Sequence, residues 1–118
     1  MIQLSQHDTI AAIATAPGNA GIGVIRISGK NITSFIQQLC GKQNLIARYA
    51  TYTSFYDEEE KVIDQGLALF FQAPQSFTGE NVLELQCHGG TIVLKRLLKR
   101  CIALGARQAQ PGEFSQRA

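Results

Sequence analysis

The chain has 118 residues, a length suited to one domain, and 45% of them are apolar, enough for a core. Its net charge of +2 is too small to argue for nucleic acid by itself, and no apolar run reaches membrane-spanning length. Three cysteines, Cys40, Cys87 and Cys101, are widely spaced and odd in number, which fits reduced thiols in a cytoplasm better than a disulfide framework.

The opening MIQLSQHDT is polar and carries an acid, so it does not read as a secretory signal. Residues 9–15, TIAAIAT, are apolar and β-capable, and Ala16-Pro17-Gly18 stops them. A loop holding Gly18, Gly21 and Gly23 leads into a second strand, IGVIRIS at 22–28. There Ile25 and Ile27 share one face, and Val24, Arg26 and Ser28 the other. A long cation at mid-strand calls for an anionic partner or a route to water. Asn31 is placed to cap a helix to about residue 40, with Ile32, Phe35, Ile36 and Leu39 at helical spacing and Gly41 as its stop. Residues 48–56, RYATYTSFY, read as a strand, and Asp57 to Lys61 as a charged hairpin tip. Residues 62–71 return as a strand whose near-continuous apolar run predicts burial on both faces.

The most informative stretch is 76–90, SFTGENVLELQCHGG. Thr78-Gly79-Glu80-Asn81 supplies a turn. Residues 82–87 alternate, so that Leu83, Leu85 and Cys87 face one way while Glu84, Gln86 and His88 face the other. Gly89-Gly90 marks a tight turn or a close approach, and a helix beginning near Thr91 aims its first N–H groups back at the strand end. Two readings stand for this face: a solvated strand surface with a glycine turn, or a polar site near a helix N-terminus. The helix at 91–104 carries Val93, Leu94, Leu97, Leu98, Cys101 and Ile102 on one side, and Lys95, Arg96, Lys99 and Arg100 on the other. The basic side reads as a solvated face, with RNA phosphate contact as its alternative. Gly105 ends this helix, 107–110 read as a short edge strand closed by Pro111, and Glu113 opens another helical turn. That turn at the chain's end is what a fragment of a longer protein would show.

Nucleotide motifs fall away on inspection. Gly21-Ile22-Gly23 begins like a dinucleotide fingerprint, but Arg26 stands at the third glycine position and a strand follows instead of a helix. Residues 23–31 miss the phosphate-binding P-loop by one residue of spacing, and Asn31 replaces the hydroxyl residue that would hold Mg²⁺. The cysteines and His88 lack metal-ligand spacing, and Cys87 and His88 point to opposite faces. No catalytic or metal-binding residue is assigned.

Three blocks then resemble one family. Asp8 to Ala12 with Ala16-Pro17-Gly18 and GIGVIRISG at 21–29, SFTGE at 76–80 with ELQCHGG at 84–90, and PGEFS at 111–115 with Arg117-Ala118 resemble the N-terminal region of the MnmE (TrmE) family of tRNA modification GTPases. Asn19, Ala20, Gln110 and Gln116 depart from the family's usual residues.

The resemblance implies an α/β domain of α+β type, residues 1–118, with a mixed sheet and two to three helices, similar to the folate-binding domain of the glycine-cleavage T-protein. It implies homodimerisation and binding of 5-formyl- or 5,10-methylene-tetrahydrofolate; the alternatives are a purely structural dimerisation module, or a small RNA-binding domain using the basic helix face at 95–100. Arg26 and Glu84 are the folate contacts it carries over, with Gln86, His88, Gly89 and Gly90 around them and a further family lysine beyond residue 118. A carboxylate suits a pterin edge, because it accepts the ring N–H and the exocyclic NH₂ together. Alternatively, Arg26 and Glu84 pair only with each other across adjacent strands. The resemblance places GTP, Mg²⁺ and K⁺ in a GTPase domain absent from this chain. Its partners are tRNA, modified at the wobble uridine, and a flavin-dependent protein of the MnmG/GidA type. It implies a cytoplasmic protein with no membrane partner.

Overall fold

The alternating stretches pair into a six-stranded sheet in the computed structural model, which describes residues 8–14 and 22–118. The order along the chain is β1 (Ile10–Ile13), β2 (Gly23–Gly29), α1 (Thr33–Cys40), β3 (Thr51–Tyr56), β4 (Val62–Phe71), β5 (Asn81–Cys87), α2 (Gly90–Ala103), β6 (Arg107–Gln108) and α3 (Glu113–Arg117). Across the sheet the order is β3-β4-β5-β2-β1-β6. Every pair is antiparallel except β1 with β6, so the sheet is mixed, as expected. The opening at 1–7, the Ala16-Pro17-Gly18 stop, the glycines at 18 and 21 and the departures at Asn19 and Ala20 lie outside the described residues.

Register decides which side chains share a face. Ile27 lies opposite Leu83, which lies opposite Phe70; Ile25 lies opposite Leu85, which lies opposite Ala68. These rows join Phe35, Ile36 and Leu39 of α1 and Leu94, Leu97 and Cys101 of α2 in one core. Both long helices therefore cover one face, and burying it is the main driving force available to the fold. The other face carries the row Ala12, Arg26, Glu84, Leu69. At one end of that face Ile10, Ser28 and Val82 are buried, and Ser28 bonds Thr78 and Glu80.

Several expectations shift at element ends. Ile32 takes the N-cap position of α1, yet the Asn31 carboxamide oxygen still accepts the Thr33 N–H, at 3.2 Å. The strand expected from 48 begins at Thr51, because Arg48 adopts φ +64° while its N–H bonds the Phe70 carbonyl at 2.8 Å. Ile102 is 43% exposed, rotated off the buried stripe of α2. Strand β4 is not buried on both faces. Gly66 and Ala68 are buried under the long helices, while Leu67, Leu69 and Phe71 are only half-buried on the face opposite α1 and α2.

Candidate functional site

Arg26 and Glu84 meet at the middle of the face opposite the helices. They are register partners on β2 and β5, so their side chains rise from the same row. Arg26 Nε donates to Glu84 Oε1 at 2.8 Å, and Arg26 Nη2 lies 2.7 Å from the same oxygen. Their side chains are 29% and 18% exposed, so the pair is sheltered but reachable. Glu84 Oε2 and Arg26 Nη1 have no partner among the described residues. Among the described residues the pair thus keeps one acceptor oxygen and the Nη1 NH₂ group for something else.

Phe77 completes the arrangement. Its ring centroid lies 5.8 Å from Arg26 Cζ, a cation–π distance, and the side chain is 54% exposed. A crevice of about 480 Å³ opens beside Arg26, lined among others by Ala12, Ala14, Gln110, Pro111 and Phe114. That volume lies within the range of small-molecule sites. Glu84 does not line it. A second crevice, about 560 Å³, lies over Lys30, Thr78, Glu80, Glu113 and Arg117 and includes neither Arg26 nor Glu84.

The remaining expected residues are not gathered at this pair. Gln86 lies two residues further along β5, opposite Val24 and Leu67. His88 stands past the strand end, about 13 Å from Glu84 at the usual strand rise. Its Nδ1 is 3.1 Å from the Gln65 carbonyl oxygen, and its backbone N–H donates to Asp64 Oδ2 at 2.8 Å. Gly89 is the N-cap of α2, and Gly90 takes φ +82° at its first position. A Cβ on Gly89 would lie 2.2 Å from Val93 Cγ2, so the close approach expected of this pair is met within the helix's own first turn. The Gly89 N–H also bonds Asp64 Oδ2, at 3.0 Å. The carboxylate at this turn is therefore that of Asp64, not Glu84.

Sequence reading missed Phe77, Asp64 and a polar network at the buried end of the open face. Arg107 donates through Nη1 and Nη2 to the two oxygens of Glu113, at 3.0 and 2.7 Å. Arg117 donates to Glu80 Oε1 at 2.9 Å, to Glu113 Oε2 at 3.3 Å and to the Asp8 carbonyl at 2.7 Å. The Arg107 fork, with help from the Gln110 N–H and the Arg117 charge, holds the Glu113 carboxyl at about 2, against burial that pushes it up. Asp8, Ser28, Glu80, Glu113 and Arg117 come from all three sequence blocks, which is the signal that could have pointed to the network.

The cysteines belong to the core. Cys40, Cys87 and Cys101 are free and buried, and burial pushes each thiol up to about 12. None is a nucleophile at neutral pH. Among the described residues, no group of three His, Cys, Asp or Glu side chains is arranged to hold a metal ion.

Fold and site together define an α/β domain whose sheet is helix-covered on one side and bears a sheltered Arg–Glu pair on the other. Residues 9–118 match the family described as GTP-binding protein TrmE N-terminus, and the chain belongs to that family. The tRNA modification GTPase MnmE of Chromobacterium violaceum is 58% identical over 110 residues, and that of Neisseria meningitidis serogroup A is 62% identical over 110. The Azoarcus sp. protein of the same name is 59% identical over 111 residues. These matches cover 93–94% of this chain and 24% of each relative, so the chain spans about a quarter of their length.

Proposed function

We propose that this domain binds a reduced folate on the open sheet face, with Arg26 and Glu84 as its contacts, and forms a homodimer. The observation that carries the reading is the Arg26–Glu84 pair beneath Phe77, part-buried, with Glu84 Oε2 and Arg26 Nη1 left over among the described residues. Glu84 accepts the pterin N–H and exocyclic NH₂ once the Arg26 fork, which occupies Oε1 in the free domain, turns to the ligand; Arg26 then donates to a ring carbonyl, the one-carbon group or the folate carboxylates. The 5-formyl and 5,10-methylene forms of tetrahydrofolate share this recognition edge. Within the parent protein the domain serves modification of the tRNA wobble uridine together with a flavin-dependent partner in the cytoplasm. GTP, Mg²⁺ and K⁺ belong to another domain of that protein. Among the described residues no helix is long and apolar enough to cross a membrane.

Calorimetric titration with 5-formyltetrahydrofolate tests the site. Glu84→Gln sets a donor against a donor and leaves a ligand group unpaired, which costs about 1–3 kcal/mol, or roughly tenfold to a hundredfold in affinity. Arg26→Lys also weakens binding, because a point charge does not reproduce a planar fork. His88→Ala has the smallest effect, given its place beyond the strand end. If Glu84→Gln lowers only the melting temperature and leaves affinity unchanged, the pair is a cross-strand contact and the folate role is wrong.

A further inference from the structure

The 76–80 turn is closed on itself. Ser76 Oγ donates to the Glu80 carbonyl, and the Glu80 N–H donates to Thr78 Oγ1 at 3.3 Å. The turn is moored to the sheet by Ser28, whose hydroxyl lies 2.7 Å from Thr78 Oγ1 and donates to Glu80 Oε1 at 2.9 Å. Ser28 stands two residues beyond Arg26 on the same face of β2, about 7 Å away. Phe77, next to Thr78 in the chain, is the residue that lies over Arg26. The position of the turn therefore sets the position of the ring.

Glu80 Oε1 also receives Arg117 from α3. Arg117 is 8% exposed and bonds Glu80, Glu113 and the Asp8 carbonyl at once. Helix α3 in turn supplies Phe114, which walls the crevice beside Arg26. One guanidinium thus bolts together the two segments that flank Arg26: the turn carrying Phe77 and the helix carrying Phe114. A lysine has one ammonium and no fork, and cannot span acceptors from three separate segments in the same geometry.

We propose that Arg117 is a positioning residue: by clamping α3 to the 76–80 turn it fixes both walls around Arg26. For its ligand the inference rests on the folate reading; for its geometry it does not. The test is hydrogen exchange on the full chain, comparing wild type with Arg117→Lys, Arg117→Ala and Glu80→Gln, followed by titration of each with 5-formyltetrahydrofolate. Losing one buried charge-assisted bond speeds exchange of the 76–80 amides roughly tenfold. Amides of β2 and β5 away from the turn keep their wild-type rates. Folate affinity falls by about the same factor, with Arg117→Lys between wild type and Arg117→Ala.

Unchanged exchange at 76–80 in all three variants overturns the clamp. Equal acceleration in the turn and in β5 makes Arg117 merely structural and also overturns it. A loosened turn with undiminished folate affinity removes the link to the site. Should the wild type bind no folate, the folate reading fails, and the exchange comparison still decides whether Arg117 holds the turn.

Discussion

Glu113 is the side chain on which the polar network depends most. Its carboxyl is held at about 2, first by the Arg107 fork, although it is only 9% exposed. A carboxyl depressed in the folded state binds fewer protons there than in the unfolded chain. It therefore stabilises the fold above the ordinary carboxylate range and loses that contribution as pH falls from about 4.5 towards 2. Glu113→Gln costs on the order of 2–3 kcal/mol at pH 7. In urea titrations the gap to wild type narrows steadily below pH 4.5; a gap constant from pH 7 to pH 3 refutes the assignment. The sequence showed Arg26 and Glu84 as polar positions on alternating strands, and showed their mutual pairing as one of two outcomes. It could not show Arg117 reaching Asp8, 109 positions away, or Asp64 reaching His88, 24 away. Such partners are chosen by how strands and turns pack, which no local pattern encodes.

At the scale of elements, β4 and β5 carry the lesson. Period-two alternation placed β5 correctly, since Leu83, Leu85 and Cys87 are all fully buried. The apolar run of β4 overstated its burial, because a sequence of Leu and Phe does not say on which side the helices lie. Within β4, Gly66 leaves no room for a side chain against the backbone of β5. A Cβ there would sit 1.8 Å from the Gln86 carbonyl oxygen and 3.3 Å from the Phe55 ring, and the first of these is backbone that cannot swing aside. Gly66→Ala forces β4 and β5 apart and destabilises the domain by about 2–3 kcal/mol or more, measured by urea unfolding. A change within about 0.5 kcal/mol would mean that the strands separate freely at this point.

For the molecule as a whole, the uncovered face sets behaviour in solution. Leu67, Leu69 and Phe71 are half-buried there, and Phe77 is largely exposed. An apolar surface of this kind on a small domain is costly to leave in water. The proposed homodimer gives sedimentation at micromolar concentration a species of twice 12.9 kDa. A species of 12.9 kDa alone counts against dimerisation by this chain.

The parallel pairing of β1 with β6, reinforced by Arg107 and Arg117 on Asp8, also has a meaning in time. On the ribosome β1 emerges early, and its outer neighbour follows only about a hundred residues later, a delay on the order of 5–20 s at ordinary synthesis rates. Throughout that interval β1 is a bare sheet edge, able to recruit any other extended chain nearby. Residues 107–117 are therefore a clasp as well as a wall: the nascent domain stays open to mispairing until they arrive and fasten it.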